Sequence, residues 1–370
     1  MNRDEMESAL VSGELWHRFC DTLRNAGDQI LREEAPADPA TRAEGFRYLS
    51  RLLRIGLEMH LEFADPDFPG FIKPSHETGK IGADNPDNLY LYARLNGAAE
   101  YRIRGRRNSV HYFSLRTQKG GYESDGKMIE TGFVDAGDLL LDADGNFEIV
   151  VSAQPQSGNW LPMDADTNAL VVRQTFHDRS LEVAAELSIE RIGRDVLAPE
   201  TDPASIGTGL QRAADFVEGT ARLFADWAQS YLPQRNLLPP ADQALCQSVG
   251  GDPNIFYYHS YWNLADDEVL LIELDRIPDC ETWNLQVNNY WLESLDYRYH
   301  RICINKHNAR YRDDGGVTLV LSHRDPGLEN WLETAGHRDG TLCFRWVGAA
   351  EQVHPHTRVV KREQLATAVA

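Results

Sequence analysis

Between Trp283 and His307 the chain concentrates side chains that move protons and grip small molecules: Asn288, Tyr290, Trp291, Glu293, Asp296, Tyr297, Tyr299, His300, Asn305 and His307. Two more histidines follow, His323 in Ser322-His323-Arg324-Asp325 and His337 in Ala335-Gly336-His337-Arg338-Asp339. An imidazole changes charge near neutral pH and so can act as acid or base. The expectation is an acid–base site in which His323 or His337 shuttles a proton and Glu293 or Asp296 orients or assists it. Asn288, Tyr290, Tyr297, His300 and Asn305 would bind polar groups of the substrate, as in apolar-walled pockets with a few directed polar groups. Each residue also has a plainer role. Histidines at strand ends often only hydrogen-bond, carboxylates after an aromatic run cap turns, and tyrosines pack. His300 and His307 would face opposite sides of a straight strand. The alternating amides of Asn284, Gln286 and Asn288 either line a pocket or meet solvent.

Other chemistries lack their motifs. Neither GxGxxG nor GxxxxGK[ST] occurs; Gly121 to Gly126-Lys127 comes nearest, but Met128 cannot ligate magnesium. No GxSxG elbow is present, which argues against an α/β-type serine hydrolase. No HEXXH occurs, and the one HxH, His354-Pro355-His356, sits in a polar tail. Jelly rolls can host His and carboxylate ligands, and His323, Asp325 and His337 are a set that could converge on an ion, but no metal is assigned to them. No organic cofactor is expected. The five cysteines, Cys20, Cys246, Cys280, Cys303 and Cys343, form no CxxC pair and read as small core hydrophobes.

The charge balance narrows the partners. With 37 basic and 57 acidic residues the net charge is −20, so nucleic acid and anionic membranes are disfavoured. The basic stretch Arg102-Ile103-Arg104-Gly105-Arg106-Arg107 reads as a solvated strand and turn rather than a phosphate site. No window approaches the roughly 18 apolar residues of a membrane span. The acidic start, MNRDEMESAL, lacks the pattern of a secretory signal, so a cytoplasmic location is expected.

The elements that must position these residues are duplicated. Residues 144–161, DGNFEIVVSAQPQSGNWL, match residues 314–332, DGGVTLVLSHRDPGLENWL. Leu170-Val171-Val172-Arg173 matches Leu342-Cys343-Phe344-Arg345, and Asp84 to Tyr90 resembles Asp252 to Tyr257. Two repeats follow, near 84–180 and 251–349. Both read as β: Val317, Leu319 and Leu321 alternate with Thr318, Val320 and Ser322, and Trp283, Leu285 and Val287 with Asn284, Gln286 and Asn288. Turn signals recur at Asp144-Gly145, Asp314-Gly315 and Asp339-Gly340. The fold class is mainly β with flanking helices (α+β), built from two jelly-roll-like antiparallel sandwiches.

Helical stripes flank the repeats. Phe46, Leu49, Leu52, Leu53, Met59 and Phe63 form one, ended by Pro66 and Pro69; Leu210 to Tyr231 form another, closed by Pro233. The expected organisation is an N-terminal helical region over 1–80, a first sandwich over 81–195 and a linking helical region over 196–245. A second sandwich over 246–350 and a loosely held tail over 351–370 complete it. The apolar helix faces leave room for a homo-oligomer.

The stretches NPDNLY at 85, YRIRG at 101, NWLP at 159 and WNLQVNNYWLESLDYRYH from Trp283 resemble a bacterial family, domain-of-unknown-function family 1214, often found with family 1254. The resemblance spans about residues 40 to 349 and is strongest over 283–347. It implies a jelly-roll-like sandwich architecture and supplies no catalytic residues.

The repeat also serves as its own control. Groups present in both copies, such as Asn159-Trp160-Leu161 and Asn330-Trp331-Leu332, or Arg173 and Arg345, should serve the fold. Polar groups confined to the second copy should serve a site. On this ground the expected function is a cofactor-independent acid–base enzyme of hydrolase, lyase or isomerase type, acting on a small neutral, partly apolar molecule. The alternative is a non-catalytic module that stacks a carbohydrate or other small ring on some of the eight Trp and fourteen Tyr.

Overall fold

The computed structural model describes residues 1–193 and 202–368. The expected boundary at 195/196 lies outside the described residues. The chain divides into two compact units. The first comprises Met1–Glu33, Gly45–Gly79 and Asn88–Leu223, and the second Glu34–Glu44, Lys80–Asp87 and Phe224–Ala370.

The first unit opens with α1 (Arg3–Ser12) and α2 (Glu14–Leu31). Asn2 and Glu5 cap α1 reciprocally, and α2 turns Leu15, Phe19, Ala26 and Ile30 inward at helical spacing. Helix α3 (Pro39–Leu57) continues into a π-turn, Glu58–Glu62. The buried stripe here is Tyr48, Leu52, Ile55 and Met59, whereas Phe46 and Phe63 of the expected stripe are exposed. Helix α4 (Pro203–Tyr231) matches the second stripe.

Eight strands form the first sandwich: β1 (Asn88–Arg94), β2 (Tyr101–Arg106), β3 (Tyr112–Gly120), β4 (Met128–Asp135), β5 (Asn146–Ser152), β6 (Trp160–Pro162), β7 (Ala169–Thr175) and β8 (Glu186–Arg191). They make two sheets, ordered β1-β7-β3-β4 and β6-β5-β2-β8. The second unit has α5 (Gln243–Ser248), then β9 (Ile255–Asn263), β10 (Glu268–Leu274), β11 (Thr282–Asn288) and β12 (Cys303–Asn305). After these come β13 (Val317–Ser322), β14 (Trp331–Glu333), β15 (Asp339–Val347) and β16 (His356–Lys361), closed by α6 (Leu365–Ala368). Its sheets are ordered β12-β11-β15-β9 and β14-β13-β10-β16, so each strand of the first unit has a counterpart in the same place. The duplication and the sandwich architecture expected from the sequence are both present.

Each core lies between two sheets and follows the two-residue alternation. Trp283, Leu285 and Val287 of β11 face inward with Leu342, Phe344 and Trp346 of β15. Phe113 and Leu115 of β3 do the same with Leu170 and Val172 of β7. The shared Asn-Trp-Leu motif is structural, as expected. It begins a short strand that runs parallel to β5 in one copy and to β13 in the other. Asn159 bonds the N–H and C=O of Leu140 and the C=O of Glu148, while Asn330 bonds those of Arg310 and the C=O of Thr318. The indole N–H donates to the Ser152 carbonyl at 3.1 Å in the first copy and to that of Ser322 at 3.2 Å in the second.

Two expectations are corrected. Asp339-Gly340 is not a turn but the start of β15; Gly340 is needed because an added Cβ would come within 2.2 Å of the Asn288 carbonyl oxygen. The segment after 350 is not loose throughout. Its residues 356–361 pair with β10 as the counterpart of β8, and Leu365 is buried.

Candidate acid–base site of the second unit

The outward face of sheet β12-β11-β15-β9 is where this unit departs from an ordinary sandwich. Register places Tyr257, Arg345 and Asn284 in one row, His259, Cys343 and Gln286 in the next, and Tyr261, Thr341 and Asn288 in a third. The three amides neither line an open pocket nor meet solvent. They are buried; residues 80–87 supply partners for Asn284 and Gln286, and Asn288 is held by Gln286 and Thr341. Gln286 donates to the Asp84 carbonyl at 2.9 Å and to Asn288 Oδ1 at 2.6 Å, and Asn284 donates to Asn85 Oδ1 and Asp87 Oδ2. Arg345 donates to Gln286 and to the Ala83 carbonyl. Buried polar groups must find such partners, and these do.

A second network adjoins this face. The Lys80 ammonium, 1% exposed, donates to Ser294 Oγ at 2.7 Å and to the carbonyls of Ser294 and Leu295, and sits 4.7 Å from the centre of the Tyr297 ring. Ser294 Oγ donates to Asp84 Oδ2 at 2.8 Å, and its N–H donates to Oδ1. Burial pushes the Asp84 carboxyl up to about 6, against the pull of Lys80. Glu293 is also buried; Asn289 Nδ2 donates to it at 2.9 Å. Ala83 and Leu292 both hold left-handed φ (58° and 56°) and are joined by a 2.6 Å bond from the Ala83 N–H to the Leu292 carbonyl. Such conformations cost side-chain-bearing residues roughly 1–3 kcal/mol each and persist only where the surroundings over-determine them.

The third cluster reaches solvent. His337 Nδ1 lies 2.9 Å from the Thr334 carbonyl, and its Nε2 lies 3.0 Å from Glu44 Oε2. A carbonyl only accepts, so Nδ1 carries a hydrogen. The Nε2–Glu44 bond then requires a second proton, shared by imidazole and carboxylate. Burial works to lower the His337 pKa, but Glu44 outweighs it and the group is raised above its ordinary value. The side chains are 24% and 18% exposed. Asp339, two residues on, is raised by burial while Tyr261 and His337 oppose the shift; Tyr261 is raised in turn by burial and by Asp339. Tyr290 meets Tyr261 edge-on at 6.4 Å and Trp291 at 5.0 Å, and the Trp291 indole donates to the Thr41 carbonyl.

The structure therefore distributes the expected site residues over several networks. His323 and His337 converge on Thr334, but His323 is a clamp: its Nε2 faces the Leu264 carbonyl at 3.1 Å and its Nδ1 the Thr334 hydroxyl at 3.0 Å. Tyr290 stands with the His337 cluster. Glu293, Asn288 and Tyr297 belong to the sealed networks. Asp296 pairs with Arg298, whose hydrogen bonds hold its carboxyl down at about 2. His300 Nδ1 lies 2.9 Å from Glu333, and Asn305 caps a turn by accepting from the N–H groups of His307 and Asn308. Among the described residues no group of three or more His, Cys, Asp or Glu side chains is arranged to hold a metal ion, and His323, Asp325 and His337 are not joined. Sequence reasoning missed Glu44, Lys80 and Asp84, which lie more than two hundred positions from their partners.

A crystal structure of an uncharacterised protein from Burkholderia cenocepacia is 63% identical over 96% of this chain and 99% of its own, with a TM-score of 0.95. The sequence profile described as a protein of unknown function, DUF1214, matches residues 92–175 and again 266–351. The chain belongs to the DUF1214 family. The two matched stretches of the DUF1214 profile fall one within each sandwich, from within β1 to β7 and from just before β10 to just past β15. The VPA0106 protein of Vibrio parahaemolyticus is 14% identical, with 92% of this chain and all of that one covered, at a TM-score of 0.48. None of the curated proteins matches. No helix among the described residues of this DUF1214 chain is long and apolar enough to cross a membrane.

Proposed function

We propose that this DUF1214 chain is an acid–base enzyme of hydrolase, lyase or isomerase type, working without an organic cofactor on a small, neutral, partly apolar molecule. The observation that carries this reading is the His337–Glu44 dyad, a proton-sharing pair that is half-buried yet reachable from solvent. Glu44 raises His337 above its ordinary value, and a hydrogen-bonded imidazole and carboxylate can pass a proton in either direction. Asp339 and the Tyr261 hydroxyl stand beside it as a second proton relay. The carboxylates of Glu44 and Asp339, with Asp38 close enough to act on Asp339, would repel an anionic substrate, which favours a neutral one. The stacking-module alternative would have to draw on exposed rings such as Trp16, Tyr299 and Tyr311, since Trp262, Trp283, Trp291 and Trp346 are all buried.

The test is conversion of neutral aryl esters, amides, epoxides and β-hydroxy ketones by the full chain, followed by mass spectrometry. Wild type should convert at least one class, and His337→Gln should lose roughly 10²–10⁴ of that rate. Glu44→Gln should move the limb of the pH profile set by His337 to lower pH. Undiminished conversion by His337→Gln would remove the dyad from the chemistry. Saturable binding of these compounds without conversion would replace the enzyme by a binding role.

A further inference from the structure

The first unit carries a basic counterpart of the face just described. On the outward side of sheet β1-β7-β3-β4 the rows read Tyr90, Arg173 and Ser114; Tyr92, Val171 and Arg116; and Arg94, Ala169 and Gln118. Arg173 matches Arg345, so the fold itself asks for that one. Arg94 and Arg116 stand where the second unit has Tyr261 and Gln286, so the fold does not require them. Arg116 is 2% exposed and lies 3.4 Å from Glu130; Arg94 is 12% exposed at its side chain and lies 4.0 Å from Glu123.

His60 stands in the π-turn that ends α3. Such turns interrupt a helix at some cost and are frequent at functional sites. His60 is 3% exposed, its ring is 5.5 Å from that of Phe216 on α4, and its Nε2 has no hydrogen-bond partner. One turn on from Phe216, the Thr220 hydroxyl is fully buried and also without one. Burial pushes the imidazole down to about 3, and the nearby guanidinium groups of Arg94 and Arg212 add to the shift. A neutral imidazole facing two cations, inside a chain of net charge −20, is an arrangement that stability alone does not explain.

We propose that this face of the first unit binds a small molecule through an oxyanion group, a carboxylate or a phosphate. Arg94 and Arg212 pair with the anion, and the His60 Nε2–H and the Tyr92 hydroxyl donate to it. Charge-assisted hydrogen bonds of this kind are about twice as strong as neutral ones. The site is independent of the acid–base dyad, which lies in the other unit and favours neutral molecules.

The experiment is calorimetric titration of the dialysed full chain with inorganic phosphate and, separately, with propionate, at constant ionic strength. Saturable binding of either supports the site, and the tighter of the two identifies the anion class. Arg94→Gln and Arg212→Gln should each weaken binding at least tenfold; Arg212, exposed on α4, is the variant least able to disturb folding. Arg104→Gln, whose guanidinium pairs with Glu148 and Glu190 on β2's exposed side, should leave binding unchanged. The His60 imidazole resonance should shift on saturation, and His60→Gln identifies it. Absence of saturable binding of both anions, or equal weakening by Arg104→Gln, overturns the proposal.

Discussion

The two sandwiches share a strand order and a register, yet their outward faces carry different side chains. Tyr90 and Arg173 in the first occupy the places of Tyr257 and Arg345 in the second. Around that common pair the first unit sets guanidinium groups, with the unbonded Nε2 of the His60 imidazole near Arg94, whereas the second sets amides, a thiol and an imidazole and adds the Lys80 network. Sharing marks what the architecture needs. Divergence at fixed positions marks where function is free to enter, and here it changes the charge of the face: Arg94 and Arg116 stand where the second unit has Tyr261 and Gln286.

The largest effect that would sharpen this contrast is at Lys80. Lys80→Met should destabilise the second unit by about 3–5 kcal/mol, because it leaves Asp84 buried beside no cation. The sign with pH follows from Asp84, whose carboxyl is already held above its unfolded value. Without Lys80 it rises further, so the loss is smallest where the carboxyl is protonated and grows as pH rises through its folded pKa. Urea unfolding across pH measures this, and Lys80→Met with Asp84→Asn should recover most of the loss. Equal damage to hydrogen exchange in β1–β8 would mean that the network is not particular to the second unit.

A smaller effect tests the shared part. Asn159→Ala and Asn330→Ala each remove three hydrogen bonds to backbone and should each cost roughly 1–3 kcal/mol, alike within about 0.5 kcal/mol. A twofold difference between them would break the reading of that motif as common structure. The smallest effect is at Glu44. Because His337 is raised in the folded state, the pair contributes stability below about pH 6.5, and that contribution fades as pH rises through the elevated value. Glu44→Gln should therefore destabilise by under about 1 kcal/mol, most visibly below about pH 6.5, the difference shrinking as pH rises through the elevated value. Thermal unfolding at both ends of the range reads the difference.

Much of the architecture was legible because alternation and repetition are local signals. Val317 to Ser322 and Trp283 to Asn288 announce strands, and the Asn-Trp-Leu motif announces its own duplication. Strand β16 was missed because the recognisable match ends at Arg345, while β8, its counterpart, carries no shared motif. The candidate site was legible only in its second half. His337 and Tyr290 could be singled out from composition, but Glu44 and Thr41 come from the far end of the chain, and nothing local announces such a pairing. The amides of β11 were seen, yet their burial depends on residues 80–87, which no periodicity ties to them. His60 gave no sign at all, since a histidine within a helical stripe is ordinary and a π-turn has no simple sequence signature.

Strand β16 has a practical meaning for anyone handling the polypeptide. It forms the outer rung of sheet β14-β13-β10-β16, and Leu365 beyond it packs with Val269, Leu271 and Val320 on that sheet. Trimming the chain at Val347, where the shared motifs run out, would bare the row of N–H and C=O groups of β10 and the apolar side chains beside them. An uncovered strand of that kind templates pairing with its neighbours. A shortened version would be expected to precipitate on concentration while the longer one stays dispersed.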